Sequence, residues 1–272
     1  MLKDRITLLI HSCEKFSDLW PAHTTLLNRN WPSRDFESWI LTDAPSEVDI
    51  PDVKVVSAGI GKEITERIRY ALPLLQTEYV LVTLDDYFLT SPISSERIER
   101  LVDIMNKEGW DYLRLFDRPK CPEKKTLYEN ICTFEPEGDY RVNLYSGIWR
   151  KSFMEATLGD IEMNAWNFEV SLTKKAAAVG GKCAVSHGNE FPILDVVRKG
   201  RILHKAHKYL QKHDLYHGSR PLMPLWAEYK LNIRTFFARL FAKLPKPLYD
   251  FTIKIMLILG VQSFKAQARS RK

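Results

Sequence analysis

The order of strand and helix signals along the chain predicts an α/β fold. A mostly parallel sheet is flanked by helices and followed by a basic helical C-terminal extension. Three observations carry this. Short apolar runs alternate with helical periodicity over the first 90 residues. Several of the runs are apolar at consecutive positions, as in strands covered on both faces. A β-α-β-α-β order with crossover helices calls for parallel pairing.

The elements follow in order. Ile6–Ile10 is the first strand. Residues 14–29 read as a helix, with Phe16, Leu19, Trp20, Leu26 and Leu27 roughly on one side; Pro21 either kinks it or marks its start. Phe36–Leu41 and Val53–Val56 are the next strands. Ile64, Ile68, Ala71, Leu72 and Leu75 fall at helical spacing and predict an amphipathic helix over 62–75. Tyr79–Leu84 is the fourth strand. Ser94 is placed to cap a helix carrying Ile98, Leu101, Ile104 and Met105. Asp111–Leu115 reads as a strand, 117–139 as a Pro-, Lys- and Glu-rich loop, and Tyr140–Tyr145 as a further strand. A helix runs from near Trp166 to Gly180-Gly181, and Ile193–Val197 is a late strand.

Composition excludes several functions. At 45% hydrophobic and 27% charged, the chain is globular rather than disordered. Four cysteines without Cys-x-x-Cys spacing speak against a zinc ribbon or a redox pair and fit a reduced, cytosolic chain. The N-terminus reads as lacking a signal peptide, and no apolar run is long enough to span a bilayer. The net charge of +6 divides unevenly: residues 1–195 carry 23 Lys/Arg against 31 Asp/Glu, and residues 196–272 carry 17 against 3. An acidic body with a basic tail is not a nucleic-acid coat, and no RRM, KH or zinc motif is present. Gly59-Ile60-Gly61-Lys62 lacks P-loop spacing, and Ile64 stands where a dinucleotide fingerprint needs glycine.

Ligands of open parallel sheets bind beyond the carboxyl ends of the strands. Here those ends are His11-Ser12-Cys13, Thr42-Asp43, Ser57-Ala58-Gly59 and Asp85-Asp86-Tyr87. The last stands apart. Adjacent carboxylates at the mouth of a buried strand repel and lose hydration unless a cation or hydrogen bonds compensate. Mg²⁺ does so with one or two protein carboxylates plus phosphate oxygens. A turn that merely opens on two acids is the plain alternative; the position after the fourth strand favours a ligand site.

With these residues in view, the chain resembles bacterial glycosyltransferases of the GT-A fold, the family-2-like enzymes of capsule, exopolysaccharide and lipopolysaccharide synthesis. The likeness rests on the first strand running into His11-Ser12-Cys13, on Asp43, and on Leu84-Asp85-Asp86-Tyr87-Phe88 at the Asp-x-Asp position, with Tyr87 third. Tyr145-Ser146-Gly147-Ile148-Trp149-Arg150 and Asn164-Ala165-Trp166-Asn167-Phe168-Glu169 look like acceptor-side segments. The resemblance implies a GT-A-like, Rossmann-related catalytic domain over 1–200, with a nucleotide-sugar half at about 1–90 and an acceptor half at about 91–200, and an extension over 201–272. It implies sugar transfer from a UDP- or GDP-sugar to a saccharide or polyprenyl-linked acceptor, inverting and assisted by Mg²⁺ or Mn²⁺. His11, Ser12 and Cys13 would line the nucleotide, Asp43 would face base or ribose, Asp85 would lie near the ribose and Asp86 would hold the metal. Glu169 is the candidate general base, with Glu162 and Asp160 as alternates.

Other residues are weighed against plainer roles. Arg69, on the helix before the acid pair, is a candidate donor contact, as are Arg198 and Lys199. His187, His204, His207, His213 and His217 read chiefly as a solvated basic stretch, with His187 or His204 as a candidate third metal ligand. Trp149 reads as core more than sugar platform. Residues 226–272 hold ten Lys/Arg and two acids among apolar positions, with Leu244-Pro245-Lys246-Pro247 between two amphipathic helices. This pattern suits the interface of an anionic membrane, and places the protein at the inner face of the cell membrane. Packing on protein is the alternative. Two other functions stay open: a sugar-phosphate nucleotidyltransferase, although His11-Ser12-Cys13-Glu14-Lys15 lacks its glycines, and a non-catalytic membrane-associated binding protein.

Overall fold

The computed structural model describes residues 2–45, 50–119, 121–138, 140–230 and 233. The chain divides into two compact units, residues 1–220 and 221–272. The first unit is built on nine strands. They are β1 (Ile6–His11), β2 (Ser38–Thr42), β3 (Lys54–Ser57), β4 (Tyr79–Leu84), β6 (Tyr112–Arg114), β7 (Lys124–Lys125), β8 (Ile131–Phe134), β9 (Gly147–Arg150) and β10 (Cys183–Ser186). Their spatial order is β3-β2-β1-β4-β9-β6-β10-β8-β7. The first four are mutually parallel, β9 and β8 run against their neighbours, and the expected mostly parallel α/β sheet results. A short β5 (Tyr87–Leu89) pairs with β11 (Ile193–Asp195), and β12 (Val197–Arg198) with β13 (Arg201–Ile202).

Helices cover both faces. On one face Leu8, Ile10, Ile40 and Leu81 pack with Trp20 and Leu27 of α1 (Trp20–Asn30) and Ile98, Leu101 and Met105 of α3 (Ser95–Glu108). On the other, Leu9, Leu41, Val80 and Val82 meet α2 (Ile64–Ala71), α4 (Lys151–Leu158) and α5 (Ala165–Ala178) through Ile68, Phe153, Phe168 and Leu172. A third cluster sets Leu19 and Leu26 against Phe88, Leu194 and Ala206 and Leu210 of α6 (His204–Lys212). α6, counted with the extension on the sequence, is thus part of the first unit, which ends at Arg220 rather than at 200. The amphipathic pair of the tail falls largely on 231–232 and 234–272, outside the described residues. Among the described residues no helix is long and apolar enough to cross a membrane.

The structure settles one alternative and departs from expectation at three elements. Pro21 marks the true start of α1, which follows a 3₁₀ turn over Glu14–Leu19. Tyr140–Tyr145 is a loop, because side chains serve its backbone: Asn143 Nδ2 donates to Tyr140 O at 2.8 Å and Tyr145 N donates to Asn143 Oδ1 at 3.0 Å. The strand is Gly147–Arg150, wedged antiparallel between β4 and β6. The 117–139 loop contains the β7–β8 hairpin, and α4 has no sequence cap to announce it. Trp149 is fully buried core.

Candidate functional site

After β1 the chain adds β2 and β3 on one side, whereas β4 lies on the other side of β1. Such a switch of direction opens a crevice at the carboxyl ends of the two central strands. Ser12 and Asp85 stand at that crest, tied by Ser12 N donating to Leu41 O at 3.0 Å and Asp85 N to His11 O at 3.1 Å.

The crest is acidic and partly to fully buried. Ser12 Oγ donates to Asp85 Oδ2 at 2.5 Å and itself accepts from Trp20 Nε1 at 2.6 Å. Asp85 is only 7% exposed. Burial pushes its carboxyl up to about 7, against the Ser12 hydrogen bond and the cations Arg220 and Arg67. Asp86 is driven well above the carboxylate range by burial and by the charges of Asp85 and Asp195. Asp195 enters on β11, directly opposite Tyr87. Arg198 Nε and Nη2 both donate to Asp195 Oδ2, at 2.7 and 2.5 Å, while Asp195 Oδ1 is buried without a partner. Burial outweighs that ion pair and raises the Asp195 carboxyl too.

The loop after β1 closes over β2. Glu14 N donates to Asp43 Oδ1 at 2.8 Å, and Arg67 Nη1 lies 4.0 Å from Asp43 Oδ2. Burial, with Asp85 and Asp43 nearby, raises the Cys13 thiol. His11 is 3% exposed, and burial plus Arg67 lower it to about 3, so its imidazole is neutral at ordinary pH. It is a wall of the site rather than an open contact. Arg69 points elsewhere: it pairs with Glu66 and donates to Gly159 O at 2.6 Å. The cation of α2 at this end of the sheet is Arg67.

Glu169 stands in the first turns of α5, capped by Asn164, whose side chain accepts from Asn167 N at 2.9 Å. Its Oε1 accepts from Leu144 N at 3.2 Å, and burial raises its carboxyl. Tyr145 follows Leu144 directly and its ring lies 5.9 Å from that of Tyr87; burial and the charge of Glu169 raise its phenol, with Arg198 opposing. Tyr87, Phe116 and Tyr145 form an aromatic cluster with centroids 5.3–6.4 Å apart. Trp166, 68% exposed, opens α5 and meets Tyr140 edge-on. Glu162 instead accepts from Glu63 N at 3.2 Å, and Asp160 is exposed. His187 pairs with Glu123, and His204 opens α6.

The sequence points to Tyr145 through the acceptor-side segment but not to Asp195, and it favours Arg69, whereas Arg67 is the arginine of α2 that lies by Asp43. Asp195 lies 110 positions after Asp85; its one signal was its place just before Arg198. The acidic crest suits a divalent cation that completes its shell with phosphate oxygens. Asp86 and the unpartnered Asp195 Oδ1 are the groups placed to hold one.

No family model matches the chain, and no curated protein matches it. Among solved structures, S. aureus TarS 1–349 in complex with UDP-GlcNAc aligns at a TM-score of 0.48 and 15% identity, over 73% of this chain and 60% of that one. S. aureus TarS aligns at 0.46 and 13%, over 69% and 36%. The bifunctional IspDF from Campylobacter jejuni aligns at 0.42 and 17%, over 70% and 52%. The chain thus spans 36–60% of the length of these solved chains.

Proposed function

We propose that the protein is a metal-assisted, inverting glycosyltransferase that moves a sugar from a UDP- or GDP-sugar to a saccharide or lipid-linked saccharide. The observation that carries this reading is the placement of Asp85 and Asp86 at the end of β4 with Asp195 on the strand paired with β5, where Val196 N donates to Asp86 O at 2.9 Å and Arg198 holds Asp195. Carboxylates that burial disfavours as bare charges gain from a cation beside them, and a nucleoside diphosphate brings the phosphate oxygens that complete its shell.

The residues divide the work. The 11–14 loop, with Asp43 fixed by Glu14 N, forms the base and ribose side. Asp85, held by Ser12, orients the ribose. Asp86 with Asp195 would hold Mg²⁺ or Mn²⁺, which as a Lewis acid would offset charge on the leaving diphosphate. Arg198 steadies Asp195 and adds positive charge at the same place. Glu169, its proton affinity raised by burial, takes the proton of the acceptor hydroxyl. Tyr87, Phe116 and Tyr145 keep water from the space between the acids, and exposed Trp166 offers a face for the acceptor sugar.

The test is donor binding and turnover in Asp86→Asn. Wild type is expected to be stabilised against heat by a UDP- or GDP-sugar only with Mn²⁺ or Mg²⁺ present, and to release nucleoside diphosphate. Asp86→Asn should lose the metal-dependent stabilisation and about 10²–10³-fold in turnover. A folded Asp86→Asn with full activity overturns the assignment. Pyrophosphate release from a nucleoside triphosphate and a sugar phosphate would instead identify a nucleotidyltransferase.

A further inference from the structure

Away from the crevice, Glu123, Cys132 and His187 come from three separate stretches of chain, yet one ligating atom of each lies within 4.8 Å of the other two. The far sheet edge builds this. Cys132 sits on β8, whose antiparallel register with β10 sets Val185 opposite it. His187 follows β10 directly, and its N–H donates to Asn130 O at 2.7 Å. Glu123 immediately precedes β7, the outer partner of β8. Asn130 takes the left-handed conformation, φ 60°, that asparagine tolerates, and Thr126 Oγ1 donates to Ile131 O at 2.7 Å across the hairpin. Glu123 Oε2 and His187 Nε2 are 2.8 Å apart, while Glu123 Oε1 is buried with no hydrogen-bond partner. All three residues are half-buried.

We propose that Glu123, Cys132 and His187 form a Zn²⁺ site, separate from the acidic crevice. A thiolate, an imidazole and a carboxylate make a ligand set that Zn²⁺ accepts, whereas Mg²⁺ and Ca²⁺ seek oxygen alone. The charges also balance. One thiolate and one carboxylate offset the 2+ ion, so a half-buried site carries no net charge. Ligand atoms around tetrahedral Zn²⁺ lie about 3.3–3.8 Å apart, a spacing small side-chain adjustments reach from the present positions. Cys132 gives up its thiol proton to solvent on binding. Three protein ligands leave the fourth position to water. The ion would fasten the β7–β8 hairpin to the stretch that runs through Ser186 and Glu190, themselves bonded at 2.6 Å, toward Asp195.

The test uses the full chain, stripped with a chelator and titrated with Zn²⁺ against a chromophoric competitor, and with Co²⁺ as a spectroscopic substitute. One tight Zn²⁺ per chain, a thiolate-to-cobalt charge-transfer band and a rise in melting temperature on loading are expected. Cys132→Ser should abolish the band. Outer partners of metal ligands are worth about 10–100-fold in affinity, so Cys132→Ser and His187→Gln should each weaken Zn²⁺ by about tenfold or more. Asp86→Asn, in the crevice, should leave both readouts unchanged, which separates this site from the proposed donor site. Circular dichroism identifies any variant that fails to fold, and the other ligand variant then decides. A wild-type chain without the cobalt band, a band that survives Cys132→Ser, or a Zn²⁺ affinity that His187→Gln leaves intact overturns the proposal.

Discussion

Asp85 shows what burial does to a single acid. Its ordinary value of 3.8 rises to about 7 because water is excluded, even though Ser12 donates to it. A carboxyl whose folded pKa lies above its unfolded one holds its proton more tightly when folded. Between about pH 4 and 7 the folded chain carries the extra proton, so stability falls as pH rises across that window and stays reduced above it. Each pKa unit is about 1.4 kcal/mol, which makes the loss on the order of a few kcal/mol. Asn in this position keeps an oxygen for Ser12 and removes the charge. Asp85→Asn should therefore melt higher than wild type at about pH 8, with the advantage vanishing near pH 4. Calorimetry across that range checks it; a constant difference at every pH would mean that Asp85 does not titrate in the window. The crest acids thus cost stability in the free protein.

At the scale of elements, legibility followed periodicity. β1 and β4 are predominantly apolar runs, and both appear within a residue of where the sequence sets them. Ser94 caps α3 as its pattern announces, accepting from Arg97 N at 3.1 Å. β9 was not legible because its four residues owe their place to packing. A Cβ on Gly147 would lie 2.9 Å from the Tyr112 ring and 3.1 Å from Leu113 O, so only glycine lets this strand close between β4 and β6. Val142 and Leu144 alternate like strand residues, yet their apolar contacts go to the helix-covered core while Asn143 folds the loop. The crevice was half legible for the same reason: acids ending apolar strands declare themselves, whereas Asp195 arrives on a three-residue strand from far along the chain. α5 carries the test of an element in function. Asn164→Ala removes its cap and should cost about 1 kcal/mol in denaturant unfolding. Because Glu169 lies in the turns that the cap orders, this variant should also lower kcat more than it raises KM for donor. Equal loss in donor affinity would show that the helix start serves the donor side instead.

For the whole molecule, the boundary between the two units also separates a nearly neutral part from a basic one. Residues 1–220 hold 30 Lys/Arg and 32 Asp/Glu, and residues 221–272 hold 10 and 2. Among the described residues, the three apolar clusters all lie within the first unit. Its last residue is anchored there as well: Arg220 donates from Nε and Nη2 to both oxygens of Asp18, at 2.7 and 2.6 Å, and its guanidinium lies 4.4 Å from the Phe16 ring centroid. A chain cut after Arg220 therefore keeps the three apolar clusters of the described residues and the crevice, and should melt within a few degrees of the full protein. What it loses is the positive excess. Interleaved with apolar residues, that excess is the sequence pattern of a segment that lies on an anionic surface, where each Lys or Arg contributes about 1 kcal/mol. We propose that residues 226–272 bind such a surface and bring the crevice to a lipid-linked acceptor. Full-length protein should then sediment with phosphatidylglycerol-containing vesicles but not with neutral ones, and be released at roughly 1 M salt, where the screening length falls to about 3 Å. The cut chain should stay in the supernatant while still releasing nucleoside diphosphate with a soluble acceptor. Sedimentation of the cut chain with anionic vesicles would move the membrane-binding surface onto the first unit. Salt-insensitive binding of the full chain would leave apolar insertion, not charge, as the force that holds it.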